Sequence, residues 1–161
     1  GGPQVEKVAL GGNPLAYNFP RAKTDRPYDF SFSGLKTSVL YELKRQAPTL
    51  HPGEEPPPSG LPIPDLAASF QAAAVQALAE KTVAAAREHK ATAIFMAGGV
   101  SANKALRAEM EKQAGDLPVR FTPLILCTDN AAMIAAAGHW RFLAGQRDSL
   151  EMDIRPNWKL M

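Results

Sequence analysis

Three short stretches hold the residues best suited to chemistry. In "FMAGGVSAN", Phe95 to Asn103, an apolar run ends in two adjacent glycines, with Ser101 and Asn103 placed where a helix would start. Glycines at such a junction serve either a tight turn capped by Ser101 or the close approach of a ligand to backbone N–H groups, since no Cβ stands in the way. The spacing matches neither G-x-G-x-x-G nor a Walker A loop, so the stretch alone leaves both readings open. Asn103 shares the ambiguity: its amide suits a base or sugar, and equally the first turn of a helix. In "CTDNAAM", Thr128, Asp129 and Asn130 are all good N-cap residues and only one is needed. Asp129 is therefore either a cap or a carboxylate able to act as metal ligand or base. "SFSGLKT" offers two serines, a glycine and Lys36 as a cradle for an anion, or simply a turn with a solvated lysine.

The remaining candidates are weaker. His51, His89 and His139 are not spaced as a chelating pair, and no nucleophile, base and acid set surrounds them, so structural roles are expected. Cys127, the only cysteine, has no partner for an internal disulfide, and no Cys/His cluster has zinc-site spacing. Between Arg21 and Arg45 six basic residues (Arg21, Lys23, Arg26, Lys36, Lys44, Arg45) face three acidic ones, a patch that meets phosphates or is merely wet.

Period and punctuation assign the elements that position these residues. Residues 1 to 29 are rich in Gly, Pro and Asn, which implies turns, with a short helix at Val5 to Leu10. Phe30 and Phe32 alternate with serines as in a strand, whereas Leu35, Val39, Leu40 and Leu43 recur at helical spacing. Seven prolines between Ala47 and Pro64 predict a linker or mobile loop. A long Ala-rich helix is expected from Asp65 to about His89, with Leu66, Phe70, Ala73, Ala74, Ala77 and Leu78 on one apolar stripe. "ATAIFMA" reads as a strand buried on both faces, followed by a helix from Ala102 to about Gln113 with Ala105, Leu106 and Met110 inward. "PVRFTP" supplies a second strand, and the three elements suit a right-handed βαβ crossover with Gly98 and Gly99 at the carboxyl edge of the sheet. A last helix is expected from about Asp129 to Ala144, stopped by Gly145. The fold class is α/β, richer in helix than strand.

With 161 residues, 45% hydrophobic and 21% charged, the chain suits one compact domain of globular composition. A formal charge of +2 does not argue for nucleic-acid binding through overall charge. No stretch approaches the roughly 18 apolar residues of a membrane span, no signal-peptide pattern opens the chain, and cysteine usage suits a reducing cytoplasm. The opening "GGPQVEK", without an initiator methionine, suggests a fragment.

The order of several segments is more specific than any one of them. "GGP" with Glu6, "FPR", "TDRP", "DFSFSGLKT", "MAGGVSANKALR", "CTDNAAMIAAAG" and "RPNW" follow one another along nearly the whole chain. In this the sequence resembles the tRNA N6-adenosine threonylcarbamoyltransferase (TsaD) family, formerly labelled O-sialoglycoprotein endopeptidase or glycoprotease. It departs from the family in its proline-rich linker and in "RPNWKL", where a second basic residue more often follows the proline.

The resemblance implies a two-lobed actin-like (ASKHA, ribonuclease H-like) ATPase fold, of which residues 1–161 would be most of the C-terminal lobe, with 47–64 as a loop within it. It implies transfer of a threonylcarbamoyl group from threonylcarbamoyl-adenylate to N6 of adenosine 37 in tRNAs reading ANN codons. Carried over by position, Gly2 falls at a turn that contacts the adenylate or ATP, Glu6 at a ribose-binding position, and Asn103 near the adenine, with Gly98 and Gly99 permitting close approach. Asp129 falls at an aspartate that joins two histidines in binding one divalent metal ion, iron or zinc. That histidine pair belongs to an H-x-E-G-H-type motif absent here, so weak or no metal binding and no activity are expected of the isolated chain. Implied partners are tRNA, a smaller actin-like paralogue (TsaB) and a P-loop ATPase (TsaE), in the cytoplasm and without a membrane. The alternatives are another actin-like ATPase or small-molecule kinase, a metalloprotease as in the old label, or a non-enzymatic docking module. A zinc protease would need two helical histidines with a glutamate, which the sequence lacks.

Overall fold

A computed structural model of the chain describes residues 1–21, 24–48 and 60–153. Lys23, His51, most of the proline-rich segment and the "RPNW" ending lie outside the described residues. The chain divides into two compact units, Gly1–Cys127 and Thr128–Met161.

The first unit is built along α3, Ile63–Glu88, a helix of 26 residues. It opens two residues before Asp65, because Pro64 sits in the first turn, where its missing N–H leaves no bond unmade. Asp65 is then free to accept a hydrogen bond from the backbone N–H of Asn13 at 2.8 Å. One turn on, the buried Ser69 hydroxyl accepts from Tyr17 N at 3.1 Å and donates to Asn13 O at 3.2 Å. Gly12 completes this seam, since a Cβ there would stand 2.0 Å from the Pro64 carbonyl oxygen. The stretch from Gly12 to Tyr17 is thus an ordered loop held against the start of α3.

The expected α3 stripe divides between two cores. Leu66 and Ala73 pack with Phe19 and Leu35. Val75, Ala79 and Val83 pack with Ile94, Leu106 and Met110. The small alanines let α1, Gly2–Ala9, and α4, Lys104–Ala114, both lie against α3. α2, Ser33–Gln46, begins where a strand was expected. Phe30 and Phe32 stack on each other, with ring centroids 6.3 Å apart and planes within 5°, and the residue flanking the helix start is Phe32 itself. Two alternating positions with no ladder to join do not sustain a strand.

β1, Ile94–Met96, pairs in parallel with β2, Val119–Phe121, placing Ile94 opposite Val119 and Met96 opposite Phe121. α4 is the connection between them. The expected two-sided burial of β1 is not observed: Ile94 and Met96 are 6% and 9% exposed, but Phe95 between them is 81% exposed. Helices cover one face of this two-stranded sheet, whereas burial on both requires layers on both.

In the second unit α5, Ala131–Leu143, starts two residues later than expected. Asn130 takes the cap, its Oδ1 accepting from Met133 N at 3.0 Å. Gly145, at φ 78°, ends the helix as expected. Among the described residues no helix is long and apolar enough to cross a membrane.

Candidate functional site

The turn after β1 shows what its glycines do. Gly98 adopts φ 85° and ψ 168°, a region essentially closed to residues with a Cβ. Gly99 to Ala102 form a single 3-10 turn. The Ser101 hydroxyl donates to Gly98 O at 2.7 Å, so Ser101 closes this turn and does not cap the helix. The cap is Asn103, whose Oδ1 accepts from Leu106 N at 2.9 Å. A carboxylate oxygen of Glu6, 98 residues away in sequence, accepts the Lys104 N–H at 2.7 Å. Two donors left unsatisfied by the start of α4 are met in this way, and the Glu6 charge lies at the positive end of the helix.

Beside this junction lies a cavity of about 410 Å³, within the range of small-molecule sites. Gly2, Val5, Phe70, Val100, Asn103 and Leu106 are among its walls, and Gln71 shares it. Asn103 Nδ2 donates to Gln71 Oε1 at 2.9 Å. A second cavity of about 270 Å³ is walled by Glu6, Lys104 and again Gln71. Gly2, Glu6 and Asn103 are therefore brought together around the start of α4. Gly98 and Gly99 do not line the larger cavity; they form the turn that delivers Val100 and Asn103 to it. Gly99 has no positive φ, and nothing lies within 4 Å of where its Cβ would stand.

Two residues here escaped the sequence reading. Gln71 carried a signal: it is a polar residue at helical spacing with Ala74, Val75 and Leu78 on an otherwise apolar stripe. Arg107 ends the quoted "MAGGVSANKALR" segment, but nothing local marked its role. Its Nε donates to Ser101 O at 2.6 Å and its Nη2 to Thr122 O at 2.9 Å, tying the glycine turn to the end of β2.

The other candidates line neither of these two cavities. Asp129, in the second unit, is exposed and is relieved of capping by Asn130. Among the described residues no group of three or more His, Cys, Asp or Glu is placed to hold a metal ion. Ser33 and Gly34 of "SFSGLKT" line a separate cavity of about 580 Å³ with Thr37, Tyr41 and Arg45. Arg21 pairs with Glu80, and Arg45 with Glu42 at 2.6 Å. The hydrogen bonds from Arg45 and then Gln46 hold the Glu42 carboxyl below its ordinary range. Gln113 and then Lys112 do the same for Glu109, while the bond to Glu88 raises the Tyr28 phenol. His89 packs against Tyr28 at 5.9 Å and His139 against Trp140 at 5.8 Å. Cys127 is buried with its sulfur 3.4 Å from Ser101 Oγ.

Residues 1–136 match the family described as TsaD: tRNA N6-adenosine threonylcarbamoyltransferase. A protein of that name from Thermomicrobium roseum is 46% identical, the alignment covering 100% of this chain and 47% of the relative. Another from Symbiobacterium thermophilum is 48% identical, covering 97% of this chain and 44% of the relative. A third from Fervidobacterium nodosum is 44% identical over 98% of this chain and 46% of the relative. The chain thus spans less than half the length of these curated relatives.

Proposed function

The chain belongs to the tRNA N6-adenosine threonylcarbamoyltransferase family, and on that footing we propose that it holds the nucleotide part of the substrate for such an enzyme. In this reading residues 1–161 are most of the C-terminal lobe of an actin-like ATPase fold, and 47–64 a loop within it. The complete protein transfers a threonylcarbamoyl group from threonylcarbamoyl-adenylate to N6 of adenosine 37 in tRNAs reading ANN codons. The amine attacks the carbamoyl carbon of the mixed anhydride, the bond from that carbon to the phosphate oxygen breaks, AMP leaves, and the amine gives up a proton. This chain's part is to fix the leaving nucleotide so that the anhydride meets the amine in one orientation. Gly2, Glu6 and Asn103 hold the adenosine portion of ATP or the adenylate, and Gly98 and Gly99 shape the turn that brings Asn103 to it.

The observation that supports this reading is the hydrogen bond from Lys104 N to Glu6, which joins the first residues of the chain to the start of α4, where two cavities that share Gln71 are walled by Gly2 and Asn103 and by Glu6. Apolar walls suit the faces of a base, and the amides of Asn103 and Gln71 suit its edge. Asp129 is proposed as one ligand of a divalent metal ion, iron or zinc, which would polarise the group being transferred. The described residues do not complete that site. tRNA, the TsaB paralogue and the TsaE ATPase are the proposed partners, in the cytoplasm.

The test uses the full-length protein with those partners and an unmodified tRNA. Asn103→Asp keeps an oxygen to cap α4 but loses the amide donor. ATP binding about tenfold weaker is expected, with threonylcarbamoyl incorporation falling in step and the melting temperature nearly unchanged. Wild-type affinity and incorporation in this variant would end the nucleotide reading.

A further inference from the structure

The backbone settles how two side-chain amides are oriented in the 410 Å³ cavity. Leu106 N–H can only donate, so the Asn103 atom it meets at 2.9 Å is the carbonyl oxygen. Asn103 Nδ2 is then the atom facing Gln71, and the Gln71 atom receiving it at 2.9 Å is Oε1. Each oxygen thus already accepts a bond. The hydrogens not used in these bonds are one on Asn103 Nδ2 and both on Gln71 Nε2. The other cavity walls include Val5, Phe70, Ala74, Leu78 and Val100, whose side chains carry no polar atom.

We infer that Gln71 is a specificity-determining residue of this cavity, which accepts one amide hydrogen of Asn103 and with it presents the remaining amide N–H groups to the acceptor edge of a bound purine. The inference rests on the nucleotide reading and adds to it a residue and a rule. A ring seated between the apolar walls places unprotonated ring nitrogens against these donors. Gln71 and Asn103 are half-buried, and a ring seated over them would screen their free hydrogens from water, so an analogue lacking the matching nitrogen leaves those donors unpaired and binds more weakly.

The experiment measures ATP affinity in the full-length protein beside the 1-deaza, 3-deaza and 7-deaza analogues, each lacking one ring nitrogen. The wild type is expected to bind at least one analogue about tenfold more weakly than ATP, the loss of one or two hydrogen bonds. In Gln71→Met, which keeps the length of the side chain without its amide, that ratio should fall toward one. Gln71→Glu retains the acceptor for Asn103 but loses the donors of Gln71 itself, and should lower the ratio to the part that the remaining Asn103 hydrogen supplies; taking the ratio removes the effect of its added charge. Equal binding of ATP and all three analogues by the wild type overturns the inference, and this arm needs no variant to fold. A ratio that survives in both variants overturns it as well. Failure of the wild type to bind ATP at all removes the nucleotide reading and the inference together, whereas the first two outcomes remove the inference alone.

Discussion

Gly98 and Gly99 are adjacent and chemically identical, yet they answer to different constraints. The chain requires the first: at φ 85° and ψ 168° any side chain brings strain of about 1 to 3 kcal/mol, even with open space around the Cβ position. Among the described residues nothing requires the second, which has no positive φ and no neighbour within 4 Å of a Cβ. Under the proposed nucleotide reading, a glycine at this position leaves room for a ligand approaching from outside. Denaturant unfolding should therefore show Gly98→Ala less stable by about 1 to 3 kcal/mol, and Gly99→Ala within about 0.5 kcal/mol of wild type. ATP titration should show weaker binding by Gly99→Ala; unchanged affinity there would return both glycines to the role of a turn. Asn103 combines the two constraints in one side chain, since its oxygen caps α4 and its nitrogen meets Gln71. Alanine at that position would lose about 1 kcal/mol of helix capping together with any ligand contact, which is why aspartate separates the effects better.

At the scale of elements, the site depends on α1 being fastened to the start of α4, and the fastening passes through Glu6. A carboxylate accepting a backbone N–H at a helix start makes a charge-assisted bond in a favourable dipole field. Glu6→Ala leaves Lys104 N–H without this acceptor, and should cost about 1 to 3 kcal/mol. Amide hydrogen exchange in α1 should accelerate more than in α3, which keeps its two cores. Equal acceleration in both helices would mean that Glu6 supports the whole unit and not this junction. Such a contact is not legible locally, because nothing near Glu6 announces a partner 98 residues away. What was legible rests on short-range pattern: the apolar run before Gly98, the stripe of α3, and the order of β1, α4 and β2. Where the short pattern was ambiguous, tertiary context decided. Phe30 and Phe32 found each other instead of a strand partner, and Phe95 stayed exposed because this sheet is covered on one face. Of the polar residues crowded at each helix start, hydrogen-bond geometry selected Asn103 over Ser101 and Asn130 over Asp129.

For the molecule as a whole, the last of those selections matters most. The chain matches its curated relatives over less than half of their length, and its two units divide the proposed duties. Gly2, Glu6, Gly98, Gly99 and Asn103 belong to Gly1–Cys127, whereas Asp129 belongs to Thr128–Met161. Asn130 accepts the Met133 N–H, so α5 has its cap without drawing on the neighbouring carboxylate. Asp129 is exposed, and no cluster of three ligand-type residues forms among the described residues. A single carboxylate binds a transition metal too weakly to define a site, so in the proposed role of Asp129 the other ligands would come from elsewhere in the complete protein. Asp129→Asn in the full-length protein should therefore lower bound iron or zinc to well under half of the wild-type content by elemental analysis. Its melting temperature should hardly move, because the cap of α5 is intact. Asn130→Ala should do the reverse, losing about 1 kcal/mol of stability while keeping the metal. Retention of a full metal complement by Asp129→Asn would exclude this carboxylate as a ligand. Loss of metal in both variants alike would show that the start of α5 as a whole, and not the one side chain, shapes the site.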